Sequence, residues 1–218
     1  MIPEEAGRQY PSEMWVRTHA PPKRDASSYR DCLRLEFRFA CVYCLMLGHE
    51  LRRERYGGFE IEHFRPKGRR EFEPLRDSYA NLFWACRACN RAKHDRWPTR
   101  EELDRGERFL NPCDDVMAEH LRIDGQEIEA LTAAGEFMIE QLGLDEPLHE
   151  QRRTDRLKAA SVLTTIEMLL DNPIDGVDEI LLRELRSEVE LKRFELGIGG
   201  PPRDALSVCA CGSQRELF

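Results

Sequence analysis

The 218-residue sequence has no apolar run that approaches the roughly 18 residues of a membrane-spanning helix. Its first residues do not show the order of basic, apolar and small residues that a secretory signal has. We also find no internal repeat and no low-complexity tract. Charged residues make up 34% of the chain and hydrophobic residues 41%, a balance that excludes disorder by composition. These features predict a cytoplasmic globular protein with a charge-rich surface.

The net charge of −8 is distributed unevenly along the chain. Residues 1–112 contain 22 Lys and Arg against 18 Asp and Glu, whereas residues 113–218 contain 11 against 23. Within the first half, residues 51–70 hold seven basic side chains and three acidic ones. A local positive field attracts a polyanion whatever the net charge is. A charge run alone is more often a solvated, salt-bridged face, so this run supports nucleic-acid binding only together with other signals.

Apolar periodicity predicts a helix and then two short strands in the first half of the chain. Tyr29, Leu33 and Phe37 recur every four residues and predict a helix that leads to Cys41. In residues 59–63, Phe, Ile and His alternate with two glutamates, and this alternation predicts a strand. Residues 81–86 form a second short apolar segment, and the composition after Cys89 is helical.

The second half of the chain predicts a hairpin followed by helices. Asp124-Gly125 lies between apolar residues and is typical of a tight hairpin turn. Thr132 is positioned to cap a helix that extends to about Leu142, and apolar spacing predicts two later helices. We therefore expect an irregular arm (1–27), an α+β core (28–129), an acidic, mainly α-helical lobe (130–196) and a flexible tail (197–218).

Eight cysteines without an export signal indicate reduced thiols, and four of them form two Cys-x-x-Cys pairs. The pairs are 41 residues apart and consist of Cys41 with Cys44 and Cys86 with Cys89. Four thiolates complete the tetrahedral shell of a structural Zn²⁺, which is the preferred interpretation over thiols that are merely buried. The other four cysteines are less informative. Cys32 and Cys113 are expected to be small buried residues, and Cys209 with Cys211 forms a Cys-x-Cys pair that is only weak evidence for a metal site.

A second pattern lies between and beside these pairs. His63 follows Glu62, Asn81 comes after 17 further residues, and Asn90 after eight more. This order resembles the HNH endonuclease family, with Asn90 at the position where the family name has a histidine. The resemblance implies a ββα-metal unit, in which two short strands and a helix hold one divalent ion, here with a four-cysteine zinc site beside it.

The resemblance also implies a role for each of these residues. His63 is expected to act as the general base on water, while Glu62 and Asn90 hold Mg²⁺ or Mn²⁺ at the scissile phosphate. Asn81 is expected to brace the loop that presents His63. Alternative ligands are His94, one helical turn after Asn90, and Glu60 or a water in place of Glu62. The candidate phosphate-contacting residues are Arg65, Lys67 and Lys93.

A finer resemblance rests on residues 61–67, 81–90 and 109–115. These segments are similar to the HNH proteins of Septu-type and retron-associated bacterial anti-phage systems. The similarity implies a DNA endonuclease in antiviral defence that works beside an ATPase partner. A function of another class stays open, namely a non-catalytic zinc module that binds nucleic acid or scaffolds a protein partner.

Overall fold

The computed structural model describes residues 9–19, 21–22, 24–46, 58–172 and 178–195. The helices are α1 (Arg30–Glu36), α2 (Arg87–Lys93), α3 (Arg100–Asp104), α4 (Ala133–Leu142), α5 (Pro147–Asp171) and α6 (Glu179–Glu195). The strands are β1 (Phe59–His63), β2 (Leu82–Cys86), β3 (Leu121–Asp124) and β4 (Glu127–Ala130). The basic residues at 52, 53 and 55, the tail 197–218 and its Cys209 and Cys211 lie outside the described residues.

The helix predicted from four-residue apolar spacing is α1 together with a 3₁₀ turn at Ala26–Tyr29. The Asp25 side chain accepts a hydrogen bond from the backbone N–H of Ser27 and caps this turn. Tyr29, Leu33 and Phe37 are all buried, because residues four apart lie on one face of a helix. That face packs toward β2 and ends in the chain reversal that precedes Cys41.

β1 and β2 form an antiparallel pair, and α2 follows β2 directly. The register pairs Phe59 with Cys86 and His63 with Leu82. Every residue of β2 is buried, as expected of a strand with an uninterrupted apolar sequence. The Cys86 Sγ atom accepts a hydrogen bond from the Cys89 backbone N–H at 3.5 Å, so Cys86 is the N-cap of α2. The predicted order of strand, loop, strand and helix is confirmed.

The segment before α1 has an irregular backbone, as predicted, but it packs on the core. Tyr10 is buried, and its hydroxyl donates to the Tyr43 carbonyl at 2.6 Å. The Trp15 backbone N–H donates to the Pro112 carbonyl at 2.6 Å. Farther along the segment, Arg17 Nη1 lies 2.8 Å from a carboxylate oxygen of buried Glu36 in α1. These contacts tie the segment to the rest of the domain.

The hairpin predicted at Asp124-Gly125 is formed by β3 and β4, and Gly125 has the positive φ of 59° that the turn requires. The Thr132 hydroxyl accepts from the Gly135 backbone N–H at 3.2 Å and caps α4. Gly143 ends this helix in the left-handed conformation. The predicted hairpin and the predicted extent of α4 are both confirmed.

The helices α5 and α6 pack against each other through a small apolar cluster. Its buried members are Leu163 and Leu170 of α5 and Val189 of α6. The apolar spacing that predicts the last helix begins at Val177, which lies outside the described residues, and α6 is described from Glu179. In the described parts of the chain, every helix is too short or too polar to cross a membrane.

Candidate metal centre and active-site cleft

The side chains of both Cys-x-x-Cys pairs converge on one point. The four Sγ atoms all lie within 4.8 Å of one another, and all four residues are buried. Cys44 Sγ and Cys86 Sγ are 3.7 Å apart. Thiolates bound tetrahedrally to zinc at about 2.3 Å would be separated by about 3.8 Å. The arrangement of Cys41, Cys44, Cys86 and Cys89 therefore fits the predicted closed zinc site.

The electrostatics of this cluster also fit a bound cation. Hydrogen bonding with Cys41 and then with Cys86 raises the pKa of Cys44, and hydrogen bonding with Cys41 and the other two thiols raises the pKa of Cys89. The same contacts, again with Cys41 first, lower the pKa of Cys86, so the neighbouring thiols stabilise one thiolate. A coordinated divalent cation allows all four thiols to ionise. Sulfur donors in tetrahedral positions favour Zn²⁺ over Mg²⁺ or Ca²⁺.

A cleft of about 270 Å³ lies where the end of β1 faces α2 and the loop after β1. Glu62 and His63 line it from β1, and Lys67 lines it from the loop. Asn90 of α2 and His94, the C-cap of that helix, complete this part of the wall. The structure therefore brings together the residues predicted as general base and as metal ligands, including the alternative ligand His94.

His63 is half-buried, and its ring orientation is fixed by the backbone. Its Nε2 atom lies 3.0 Å from the Arg76 carbonyl oxygen. Because a carbonyl oxygen only accepts, Nε2 carries the proton and the lone pair remains on Nδ1. Burial lowers the pKa of His63, and the positive charges of Lys67 and Lys93 lower it further. The imidazole is therefore neutral near pH 7, the protonation state that a general base needs.

Asn81 makes the bracing contacts predicted for it. Its side chain is buried, with Oδ1 accepting from the Arg65 backbone N–H at 2.8 Å. Its Nδ2 donates to the Arg65 carbonyl at 3.1 Å and to the Leu75 carbonyl at 3.3 Å. The Asn81 carbonyl also accepts from the Phe64 backbone N–H at 2.9 Å. One amide therefore holds both ends of the loop that follows His63.

Glu62 and Lys93 form a buried ion pair beside the cleft. Glu62 Oε1 lies 2.6 Å from Lys93 Nζ and accepts from the Tyr43 hydroxyl at 3.2 Å. Lys93 Nζ also donates to the His63 carbonyl at 3.0 Å, and its side chain is 0% exposed. Burial raises the pKa of Glu62, an effect that the Lys93 charge opposes. This burial does not fit the predicted phosphate contact at Lys93, which instead holds Glu62 and His63 in place.

Asn90 is oriented by a carboxylate. Its Nδ2 donates to Glu60 Oε2 at 2.6 Å, and Glu60 Oε1 accepts from Arg87 Nε at 3.1 Å. A carboxylate can only accept hydrogen bonds, so the nitrogen of the Asn90 amide faces Glu60. The amide oxygen is then left to serve as a ligand for a cation. Carboxylate and amide oxygens are the ligands that Mg²⁺ prefers, so the donors of Glu62 and Asn90 fit such an ion.

The predicted phosphate contacts at Arg65 and Lys67 are exposed, and Lys67 lies on the wall of the cleft. The Arg65 guanidinium lies over the Phe72 ring at 5.8 Å from its centroid. Arg91 is exposed on the same wall, although the sequence interpretation did not select it. Lys67 and Arg91 therefore place two exposed cations on the same cleft wall as His63.

The two cysteine pairs, the antiparallel strands and α2 form one continuous unit, and this unit is similar to a known family. Residues 41–96 match the HNH endonuclease family. The match includes all four clustered cysteines together with His63, Asn81 and Asn90. The predicted α+β fold class, with helices after the matched segment, is confirmed. No curated protein and no solved structure matches the chain.

The sequence interpretation named Glu60 and Lys93 for other roles and did not predict how they pair around the candidate site. Glu60 and Glu62 are two apart in a strand, so they lie on one face of β1. Asn90 and Lys93 are three apart in a helix, so they lie on one face of α2. The structure sets these two faces against each other, which gives the pairs Glu60 with Asn90 and Glu62 with Lys93. The strand and helix periodicities indicate which residues share a face. They do not indicate that the two faces pack against each other, which only the structure shows.

Proposed function

We propose that the HNH domain is a metal-dependent endonuclease that hydrolyses phosphodiester bonds of DNA in the cleft beside His63. One observation carries the proposal: His63, whose Nε2 faces the Arg76 carbonyl, lines the same cleft as Glu62 and the oriented amide of Asn90. A phosphodiester needs a base for the attacking water and a cation for the developing charge. This cleft has groups for both requirements.

Each residue has a separate task in this proposal. His63 Nδ1 takes the proton from the attacking water, while the Arg76 carbonyl stabilises the protonated ring through Nε2. Glu62 and Asn90 hold Mg²⁺ or Mn²⁺, and the bound ion supplies charge stabilisation at the scissile phosphate. Arg65, Lys67 and Arg91 bind the flanking phosphates without reading the base sequence. Zn²⁺ at the four cysteines is structural, because its shell is closed.

Incubation of supercoiled plasmid with the purified chain tests this function. We expect nicked or linear DNA with Mg²⁺ or Mn²⁺, and intact DNA with EDTA. A mobility shift without cleavage under all metal conditions would instead support the non-catalytic zinc module. Running both assays on the same preparation separates binding from hydrolysis.

We extend the proposal to antiviral defence and an ATPase partner on the basis of the sequence similarity to Septu-type and retron-associated proteins. A protein contact is also supported by aliphatic side chains that are at least half exposed on the α5–α6 pair. Exposed apolar surface is typical of interaction sites. The most exposed of these residues are Val162, Met168, Leu169 and Ile180. Gel filtration of the chain with a candidate ATPase tests the extension, and Leu169→Glu is expected to abolish co-elution.

A further inference from the structure

Helix α5 lies outside the HNH match, yet one of its faces reaches the four-cysteine centre. His149, Arg153 and Arg156 are spaced four and three residues apart, so they project from the same side of the helix. Their exposed fractions are only 5%, 6% and 4%. Charged side chains this deeply buried require compensation by opposite charge or hydrogen bonds. A group in the core must therefore compensate the charges on this face of α5.

The contacts of these side chains point to the cysteine cluster. His149 Nε2 lies 4.0 Å from Cys89 Sγ. Arg156 Nη2 donates to the carbonyl of Leu45, the residue after Cys44, at 3.5 Å. Arg153 Nη1 donates to the Leu144 carbonyl at 2.9 Å. The α5 face thus touches Cys89 of one cysteine pair and Leu45, the residue that follows the other pair.

Arg153 has a donor left over in this position. Its Nε donates to the Gln126 carbonyl, but its Nη2 is buried and has no hydrogen-bond partner among the described residues. Burial lowers the pKa of Arg153, and the nearby charges of Tyr10, Glu150 and Cys44 oppose this shift. Of these groups Cys44 belongs to the cysteine cluster, and the positive charge of Arg156 lowers the pKa of Arg153 further.

Charge balance connects the two sets of residues. Zn²⁺ with four thiolates carries a net charge of about −2 in the protein interior. Two arginines bring a charge of equal size and opposite sign, and a histidine N–H is a suitable donor to a thiolate sulfur. Groups outside the ligand shell that hydrogen-bond or neutralise metal ligands strengthen metal binding.

We propose that the zinc–thiolate centre is the counter-charge that docks α5 on the HNH domain, with His149 and Arg153 as outer residues of the centre. The metal then stabilises two parts of the chain: the ββα unit that supplies the ligands and the helical segment that supplies the compensating charge. This inference depends on zinc binding and is independent of nuclease activity.

Zinc release from the full chain to an excess of a chromogenic chelator tests the proposal. We expect Arg153→Met and His149→Phe to release zinc at least ~10-fold faster than the parent, in line with the effect of outer residues at other metal sites. Arg153→Lys keeps the charge and should release zinc at a rate closer to the parent. Lys158→Met is the matched control, because it removes an exposed charge from the same helix.

Hydrogen exchange of the parent protein provides a test that needs no variant. Removal of zinc is expected to increase amide exchange in the first three turns of α5, around His149 and Arg153. Parental zinc-release rates in both Arg153→Met and His149→Phe would overturn the proposal. So would unchanged exchange in α5 after zinc removal, or a purified protein without zinc.

Discussion

Lys93 Nζ lies 2.6 Å from Glu62 Oε1, and the two side chains are only 0% and 3% exposed. The same ammonium donates to the carbonyl of His63. One buried cation of α2 therefore fixes the carboxylate and the backbone of the two adjacent residues at the end of β1. In the proposed nuclease these residues are a metal ligand and the general base, so Lys93 acts as a positioning residue.

Lys93→Met is expected to destabilise the domain, because it leaves the Glu62 carboxylate buried without its partner. Breaking a buried ion pair from one side costs about 3–5 kcal/mol of unfolding free energy. Denaturant unfolding of the parent and the variant measures this cost. The double variant Lys93→Met with Glu62→Gln should recover part of it, and Lys158→Met on the exposed face of α5 serves as control. A parental unfolding free energy for Lys93→Met alone would contradict the pairing.

Glu60→Ala is expected to change the metal requirement without removing a ligand. The Glu60 carboxylate holds Asn90 Nδ2 at 2.6 Å, so its loss frees the Asn90 amide to rotate. Loss of such an outer partner weakens metal binding about 10-fold or more. The measurement is the Mg²⁺ concentration for half-maximal DNA cleavage, with the exposed Glu71→Gln as control. An unchanged Mg²⁺ requirement in Glu60→Ala would show that Glu60 does not orient Asn90.

Much of this architecture could be predicted from local sequence. Four-residue apolar spacing located α1, and Asp124-Gly125 located the hairpin, because both are signals within a short stretch of chain. The cysteine pairs located the four-cysteine cluster, since a shared zinc is the simplest reason for two such pairs in a reduced protein.

Contacts between distant segments were not predictable in the same way. Lys93 was predicted as a phosphate contact because it lies close in sequence to the proposed ligands, yet packing of α2 against β1 buries it completely. Nothing in the sequence around His149 or Arg153 indicates a neighbouring metal centre 60 or more residues earlier in the chain. Such relationships depend on how elements dock, and local periodicity does not contain that information.

The zinc assignment predicts a particular pattern among cysteine variants. Cys86→Ser removes one of four ligands from a buried centre, and because metal binding is coupled to folding the variant should lose zinc and unfold at a lower temperature. Cys113→Ser is the matched control, since Cys113 is half-buried and lies outside the cluster. Elemental analysis and thermal unfolding of both variants measure the outcome. Equal zinc content and equal melting temperatures would contradict the four-cysteine site.

The start of α3 gives a pH-dependent prediction. Glu102 completes a capping box with Thr99 and pairs with Arg96, and the hydrogen bond from Arg96 is the main reason that its pKa is lowered to about 2. A carboxylate whose pKa is lower in the folded than in the unfolded state stabilises the fold above its unfolded pKa, and this contribution is lost as the pH falls through the folded value.

Glu102→Gln should therefore melt below the parent at pH 7, and the difference should shrink as the pH falls from about 4.5 toward 2. Glu101→Gln, one position earlier in the same helix turn, is the control. Melting curves across this pH range provide the measurement. A difference that stays constant down to the lowest pH would argue against the ionised pair with Arg96.

The most direct test of the proposed nuclease is plasmid cleavage by His63→Ala in the presence of Mg²⁺, measured beside zinc content, melting temperature and DNA affinity. The account predicts that cleavage falls by at least ~10²-fold, the lower range for loss of a general base, while the other three properties stay close to the parent. His120→Ala, which changes a half-buried histidine outside the cleft, should cleave like the parent. Cleavage by His63→Ala at the parental rate would contradict the assignment of this cleft as the active site.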